Sequence, residues 1–365
     1  KTGVQDYYLD VSRRSLNTAC GYVEGASNWL SPSLLRFLSN NVAGATVGAT
    51  LSRAPFKDDL AIRADLRARF GSLDAVLTWP DGVRVFEDVL RIHAAAVKQS
   101  LQPGHHAMIE YLKQEQVGIG RRTAIVDLGW AGTMQRSLST LLREVRADAS
   151  VAGFYYGLWP SASGNRYKAG LMEAAFASDF IPLDQQPEVA NAVAILEELH
   201  TAPHGTVLSH AWQEGRWAPI YADCSAETEQ YETKTRHFQE GALETVSALF
   251  STGCYGTLKL SDLDADAVRA ALGAICLSPS AADIALLRQL GHCASFDHAC
   301  LDSIVCDACP ADDLAMRTEY ARSEWRPGTL RHWYDIADPA QRPKVRAFCR
   351  DVLSHLSERA LRQFD

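Results

Sequence analysis

The chain has 365 residues, of which 47% are hydrophobic, and a formal net charge of −8. This length suits two domains, or one core with a second lobe, and the negative charge argues against a general nucleic-acid binder. No apolar run reaches the roughly 18 residues that a membrane span needs, and no basic segment followed by an apolar one opens the sequence. We therefore expect a cytoplasmic protein.

Residues 6–11 resemble a β-strand that runs directly into Ser12, Arg13, Arg14 and Ser15. Guanidinium groups match phosphate oxygens in pairs, so two arginines flanked by hydroxyls at the end of a strand could hold an anion. A solvent-exposed start of a helix is the other interpretation, and this stretch alone does not separate the two.

Short helices, at residues 34–38 and 60–70, are broken by Gly and Pro in the segment 28–80, which we interpret as a cap or insertion. Residues 83–101 then show helical spacing of apolar side chains. We expect Pro103 and Gly104 to end that helix and a second helix to follow.

A strand, a glycine turn and a helix follow one another in the middle of the chain. Residues 124–126 are apolar and β-branched, Asp127 falls at the end of the predicted strand, and leucines at helical spacing follow. Thr133 is the expected helix cap. Because residues 151–159 resemble a further strand, we predict a βαβ unit whose turn lies at the carboxyl end of its first strand.

The turn contains three small residues that would let backbone N–H groups approach a ligand closely: Gly129, Ala131 and Gly132. A turn at the carboxyl end of a strand and the start of a helix favours phosphate binding. The spacing fits neither a Walker motif nor the G-x-G-x-x-G dinucleotide motif. A tight turn that binds no ligand is the alternative.

A predicted helix at residues 189–199 ends in a dense polar cluster that contains Glu197, Glu198, His200 and His204. One acid could face a pocket as a base or a metal ligand, with the His-Gly-Thr turn facing an anion. An ordinary helix end with solvated acids is equally compatible with the pattern.

The chain changes character near residue 222. Residues 207–221 resemble a β-hairpin that closes the sheet, and mostly helical patterns follow at 228–250, 263–272, 281–290, 310–322 and 343–364. We therefore predict an α/β domain over 1–222, with a Rossmann-like or phosphoribosyltransferase-like parallel sheet, and a helical domain over 223–365.

Nine cysteines, an odd number, are typical of a protein from a reducing compartment. Six residues of zinc-binding types fall close together: His292, Cys293, His298, Cys300, Cys306 and Cys309. Cys306 and Cys309 form a C-x-x-C pair that no second pair accompanies. Buried free thiols and a structural zinc both stay open, and the apolar context favours the thiols.

Three motifs, in this order, resemble one family: Ser-Arg-Arg-Ser at 12–15, Val-Asp-Leu-Gly-Trp-Ala-Gly-Thr-Met-Gln at 126–135, and Leu-Glu-Glu-Leu-His-Thr-Ala-Pro-His-Gly at 196–205. Leu-Ser-Pro-Ser at 277–280 and Trp-Arg-Pro-Gly-Thr-Leu at 325–330 extend the resemblance over most of the chain. The family is the glycan phosphoribosyltransferase module of bacterial dual-domain ribofuranosyltransferases. There it is linked to a haloacid-dehalogenase-type phosphatase in polysaccharide gene clusters.

The resemblance implies transfer of ribose 5-phosphate from phosphoribosyl pyrophosphate to a sugar hydroxyl of a lipid-linked or free glycan, such as an O-antigen or capsule. Asp127 would hold the ribose hydroxyls, although Leu128 replaces the second acid of ordinary phosphoribosyltransferases. Arg13 and Arg14 would hold the pyrophosphate with Mg²⁺. A lipid-linked acceptor would place the protein at the inner face of the membrane.

The remaining roles also come from the resemblance. Backbone amides of residues 131–134 and the Thr133 hydroxyl would bind the 5-phosphate. Glu197 would act as the base toward the acceptor hydroxyl or contact the metal, with Glu198 and His204 as its substitutes; no protein metal ligand is assigned beyond that. The other expected substrate-site residues of the matched motifs are Ser12, Gly129, Ala131, Gly132, Met134 and Gln135.

The D-x-D-x-[TV] spacing of phosphatases occurs once, at residues 264–268, where we interpret the aspartates as the start of a helix, so we expect a phosphatase module that is either fused upstream or separate. Two other functions stay open. A sugar-nucleotide glycosyltransferase would require a second glycine-rich turn in the C-terminal half, where helical patterns dominate. A non-catalytic glycan-binding module could use the tryptophan-rich stretch at 212–221, although core packing is the more common role of such rings.

Overall fold

The computed structural model describes residues 6–25, 29–39, 42, 44–119, 123–251, 264–292, 301–353 and 364. The fold is mixed α/β, mostly helical, with a small three-stranded parallel sheet. The helices before the sheet are α1 Arg13–Glu24, α2 Pro32–Leu38, α3 Val47–Ser52, α4 Leu60–Phe70, α5 Asp81–Ile92 and α6 Ala94–Gln114. The predicted helices at 34–38 and 60–70 are confirmed, and α3 was not predicted.

Residues 6–11 are not a strand, contrary to prediction. Among the described residues no strand pairs with this segment, and side-chain contacts hold it instead. The Asp10 amide donates to the Tyr111 hydroxyl at 3.0 Å, and the Asp10 carbonyl lies 2.9 Å from Nε2 of His210. These contacts keep the segment against α6 and lead it into α1.

The predicted helix end at Pro103 is wrong. Helix α5 ends before His93, and α6 runs through Pro103 without interruption. Leu101 is buried in one hydrophobic cluster of the helical region and Met108 in a second cluster. Packing on both sides of Pro103 therefore outweighs the loss of one backbone hydrogen bond.

The parallel sheet contains β1 Thr123–Asp127, β2 Val151–Gly157 and β3 Met172–Ala177, in that order. Helix α7, Thr133–Val145, connects β1 to β2, so the predicted βαβ unit is confirmed. Helix α8, Ser163–Ala169, precedes β3. One face of the sheet packs on α7, whereas the other face is open near Val126, which is 88% exposed.

The predicted hairpin is confirmed as β4 Val207–Gln213 and β5 Arg216–Tyr221, but it does not close the parallel sheet. It forms a separate two-stranded sheet against α1 and α6. Glu214 and Gly215 both have positive φ, 49° and 82°, as a two-residue hairpin turn with the favoured twist requires. Its position places the start of β4 beside the start of α1.

Short helices α9 Pro187–Ala190 and α10 Val193–Leu199 replace the single helix predicted at 189–199. The helices that follow the hairpin are α11 Ser225–Gln230, α12 Arg236–Ser251, α13 Ala265–Cys276, α14 Ala281–Leu287, α15 Asp313–Arg322, α16 Arg326–Ile336 and α17 Arg342–Val352. Helix α16 was not predicted, and residues 354–363 of the last predicted helix lie outside the described ranges. A small pair of strands, β6 Gly291–His292 and β7 Asp302–Ser303, is added.

One hydrophobic cluster contains residues from both predicted domains, before and after residue 222. It packs Ile195 and Leu196 of α10 against Ile284, Leu287 and Trp325. The domain boundary at 222 therefore stays a prediction. Within the described ranges no single helix is long and apolar enough to cross a membrane; α13 and α14 pass that test only together, with a bend of 83° between them.

Candidate functional site

The first helix begins with a reciprocal cap. The Ser12 hydroxyl accepts from the Ser15 amide at 3.1 Å, and the Ser15 hydroxyl accepts from the Ser12 amide at 2.9 Å. The Ser12 hydroxyl also donates to the Val207 carbonyl at 2.6 Å, which fixes α1 to the hairpin. The Ser12 side chain thus stabilises the start of α1 and its contact with the hairpin. Arg13 is the first residue of the helix.

The helix start separates the two arginines. Arg13 is exposed and lines a cavity of about 260 Å³. Arg14 is half-buried on another side of α1, where its Nη2 donates to the Ser52 carbonyl at 3.1 Å. Burial, together with the charge of Arg53, lowers the pKa of Arg14. The predicted pair of arginines at one anion is therefore corrected to Arg13 alone.

The cavity is built from distant parts of the chain. Its walls come from the start of α1, the end of α10, the loop before β4, and the C-terminal helical region. The residues with side chains suited to catalysis or binding include Tyr8, Arg13, Glu197, Glu198, His204, Glu227, Gln230 and His292. The polar cluster at the end of α10 thus lies beside the arginine of the first motif.

The glycine turn depends on residues without a Cβ. Gly129 has φ +149°, and a Cβ there would lie 2.3 Å from the Gly157 carbonyl oxygen. Gly132 has φ +66° and occupies the cap position of α7, so the prediction that Thr133 caps the helix is wrong. Among the described residues no side chain caps α7, so its first-turn amides keep their capacity for an anion.

Asp127 is the last residue of β1, where this turn begins. Burial raises the pKa of Asp127 to about 6, and the charge of Glu197 adds to the effect, while the amides of Gly129 and Leu128 and the charge of Arg13 oppose it. The carboxyl therefore lies within electrostatic range of both Arg13 and Glu197. Asp127 and the residues of the glycine turn are, however, not among those that line the cavity around Arg13 and Glu197.

Trp130 connects the turn to α10, a role that was not predicted. Its indole Nε1 donates to Oε1 of Glu197 at 2.8 Å. The ring stacks on Trp159, with centroids 4.6 Å apart and planes 12° apart. The stack fixes the indole, and the indole in turn fixes one oxygen of Glu197.

His292 contacts both Glu197 and Glu198. Nδ1 of His292 is 2.9 Å from Oε1 of Glu198, and its Nε2 is 3.4 Å from Oε2 of Glu197. Gln230 Nε2 donates to the other Glu198 oxygen at 2.8 Å. Burial alone lowers the pKa of His292, but the hydrogen bond to Glu198 and the charges of Glu197, Glu198 and Glu324 outweigh it and raise the pKa.

The two acids thus differ in accessibility. The Glu198 side chain is 8% exposed and fully paired by His292 and Gln230, whereas the Glu197 side chain is 30% exposed at the cavity. Glu197 is the acid that a ligand can reach. The sequence signalled His292 only as part of a zinc cluster, not as a partner of these acids.

The last two residues of the central motif, Met134 and Gln135, contribute to the protein core. Gln135 is fully buried; its Nε2 donates to the carbonyls of Val151 and Leu171 at 2.8 and 2.9 Å, and its Oε1 accepts from the Tyr155 hydroxyl at 2.8 Å. The Met134 side chain packs on the core. Of the two, Gln135 is corrected from a substrate contact to a tie between α7 and the sheet.

His204 stands between two tyrosines at the mouth of the cavity. Its ring centroid is 5.7 Å from that of Tyr8 and 4.2 Å from that of Tyr221. Nδ1 lies 2.9 Å from the carbonyl of Gly205, and Nε2 lies 3.7 Å from a carboxylate oxygen of Asp10. The histidine predicted as a substitute base thus belongs to an aromatic group.

The zinc interpretation is tested only in part. Cys293, His298 and Cys300 lie outside the described residues. Cys306 Sγ donates to the Glu319 carbonyl at 3.4 Å, and burial raises the pKa of both Cys306 and Cys309, which favours protonated thiols. Within the described ranges no group of three or more His, Cys, Asp or Glu side chains is arranged to hold a metal ion.

That finding covers Mg²⁺ as well, because the described residues around the cavity do not form a set of ligands for it.

Comparison of the sequence with protein-family models and with curated proteins gives no match. The functional argument therefore depends on the site itself.

Proposed function

We propose that this protein is a glycan phosphoribosyltransferase, which transfers ribose 5-phosphate from phosphoribosyl pyrophosphate to a sugar hydroxyl during the synthesis of a bacterial surface polysaccharide. The observation that carries the proposal is the convergence of three distant motifs: Arg13 and Glu197 line one cavity, Trp130 of the glycine turn donates to Glu197, and the charges of Arg13 and Glu197 reach Asp127. A cation, a ribose-binding acid and an accessible base are the groups that this reaction needs.

The β1–turn–α7 unit is the proposed ribose-phosphate site, and we interpret the sheet as phosphoribosyltransferase-like. The 5-phosphate would bind the amides of Ala131 to Met134 and the hydroxyl of Thr133, because the start of α7 carries the positive end of the helix dipole. The Asp127 carboxylate would accept hydrogen bonds from the ribose hydroxyls. This role requires the ionised carboxylate, and because burial raises the pKa of Asp127 to about 6, ribose binding should weaken as the pH falls below that value.

The pyrophosphate would bind beside Arg13. Three carboxylates, those of Glu197, Glu198 and Glu227, line the same cavity, so one guanidinium does not balance a bound pyrophosphate. Mg²⁺, carried by the donor oxygens, would supply the remaining positive charge and stabilise the leaving group. Arg13 would then orient the pyrophosphate in line with the bond that breaks.

The reaction itself is a displacement at the anomeric carbon. The acceptor oxygen forms a bond to C1 of the ribose, the bond from C1 to the pyrophosphate oxygen breaks, and pyrophosphate leaves with the bonding electrons. Glu197 takes the proton of the acceptor hydroxyl, and the Trp130 indole holds its other oxygen in place. Removal of the 5-phosphate would fall to a phosphatase module fused upstream or separate.

The separation of Arg13 from Arg14 provides a matched test. Titration calorimetry with phosphoribosyl pyrophosphate and Mg²⁺ should show at least tenfold weaker binding for Arg13→Ala. Arg14→Ala, which removes a guanidinium outside the cavity, should bind within about threefold of the wild type. Equal binding by Arg13→Ala and the wild type would contradict the pyrophosphate assignment.

A further inference from the structure

An aromatic surface lies at the mouth of the cavity, and the donor assignment does not use it. It consists of Tyr8, which is 65% exposed, and the rings of His204 and Tyr221. Tyr8 and His204 also line the cavity that holds Arg13 and Glu197. The surface is therefore continuous with the proposed reaction site.

Asp10 holds this surface in place before any ligand binds. The Tyr221 hydroxyl donates to Oδ1 of Asp10 at 2.8 Å, and His204 Nε2 lies 3.7 Å from the same oxygen. The Asp10 backbone is in turn fixed by Tyr111 and His210. A preorganised surface loses little conformational entropy on binding. This favours a weakly hydrophobic ligand, because the few contacts of such a ligand cannot offset a large entropy cost.

The charge around the surface selects against anions. A neighbouring depression of about 600 Å³, lined by His204 and Tyr221, also carries the carboxylates of Asp223, Glu229 and Glu232, and its lining within the described residues includes no Lys or Arg. Carboxylates are strong hydrogen-bond acceptors for hydroxyl groups and repel phosphates. Exposed rings offer an apolar face to the C–H face of a sugar.

We propose that Tyr8, His204 and Tyr221 form the acceptor subsite and bind an uncharged pyranose. The sugar packs on the Tyr8 ring, its hydroxyls bond to the neighbouring carboxylates, and one hydroxyl points into the cavity toward Glu197. This proposal rests on the proposed function and adds the class of the acceptor: a neutral hexose rather than a uronic acid or a sugar phosphate.

Saturation-transfer difference NMR on the full chain tests the subsite directly. The probes are the methyl glycosides of glucose, galactose and mannose in both anomeric forms, with methyl glucuronoside as the charged comparison. We expect signal for at least one neutral glycoside, at least tenfold weaker binding for Tyr8→Ala, and retained binding for Tyr8→Phe, because the ring and not the hydroxyl forms the contact.

Tyr167→Ala is the matched control, since Tyr167 is 94% exposed on α8 and does not line the cavity. It should bind the glycosides like the wild type. Absence of signal from every neutral glycoside, equal loss in Tyr8→Ala and Tyr167→Ala, or stronger binding of the glucuronoside would each overturn the proposal.

Thermal stabilisation by phosphoribosyl pyrophosphate with Mg²⁺, measured on the same samples, keeps the two proposals apart. Donor stabilisation without glycoside binding overturns the acceptor subsite alone. Glycoside binding that depends on Tyr8, without donor stabilisation, supports the subsite and overturns the donor assignment.

Discussion

At the scale of single residues, Asp127 is the group whose charge is least compatible with its surroundings. Its pKa is raised to about 6 from an ordinary 3.8, chiefly because the carboxyl is buried. Burial of an ionised carboxyl costs folding free energy. Such costs are common where a charged group binds a ligand, because the ligand provides interactions that the free protein lacks. The same cost gives the residue a measurable effect on stability.

The Asp127→Asn variant should be more stable than the wild type at neutral pH. Because the folded state holds this proton more tightly than the unfolded state, the stability contribution of Asp127 is present below about pH 4 and is lost as the pH rises through about 6. This difference in pKa between the folded and the unfolded state corresponds to a loss of folding stability on the order of 2–3 kcal/mol. Thermal unfolding at pH 4 and pH 8 should show the variant's advantage only at pH 8.

Asp58→Asn is the control for Asp127, because Asp58 is exposed. It should leave the pH dependence of unfolding unchanged. If Asp127→Asn also followed the wild-type curve at both pH values, the carboxyl would not be buried as described.

The contact between His292 and Glu198 makes a second prediction at this scale. A double-mutant cycle with His292→Gln and Glu198→Gln should give a coupling free energy of unfolding of about 1.5–3 kcal/mol near pH 6. Since the pKa of His292 is raised, the coupling is fully present below about pH 6.5 and is lost as the pH rises through the folded-state pKa. A coupling near zero at pH 6, or one that grows toward pH 9, would contradict the pairing.

The sequence predicted some of these residues and not others for a physical reason. Asp127 and Glu197 were found because each stands at the end of a regular element with a recognisable pattern. The roles of Trp130 and His292 depend on partners 67 and 94 positions away in the chain, which no local pattern encodes. Gln135 was misassigned because a motif does not show whether a side chain points outward or into the core.

At the scale of elements, the β1–turn–α7 unit followed from the sequence because its hydrophobic period changes from that of a strand to that of a helix. The failures came where packing decides. Helix α6 continues through Pro103 because it is buried on both sides, and no strand among the described residues pairs with residues 6–11. Turn chemistry predicted the β4–β5 hairpin, but not the sheet to which it belongs.

Gly129→Ala should disrupt the turn. A methyl group there would lie 2.3 Å from the backbone oxygen of Gly157, and φ +149° is strained for any residue with a Cβ. We expect a loss of at least 2 kcal/mol in the free energy of unfolding, measured with urea. Gly104→Ala, inside α6 with no atom within 4 Å of the added methyl, should instead add up to about 1 kcal/mol. Equal stability of the two variants would contradict the turn geometry.

At the scale of the whole molecule, α10 is the shared element. Its apolar side packs on the C-terminal helices, and its last residues carry Glu197 to the cavity and Glu198 to His292. The region after residue 222 therefore contributes both to the core and to the walls of the site. Sequence patterns located most helices of this region, although not α16, and could not show that the region contributes to the walls of the cavity.

The central claim is that the site binds phosphoribosyl pyrophosphate, and thermal unfolding of the full chain with a ligand panel tests it most directly. A ligand that binds only the folded state raises its stability by mass action, by about 2.7 kcal/mol at one hundred times its Kd. We predict a clear rise in Tm with phosphoribosyl pyrophosphate and Mg²⁺, and none with sugar nucleotides. A rise with a sugar nucleotide and none with phosphoribosyl pyrophosphate would contradict the account.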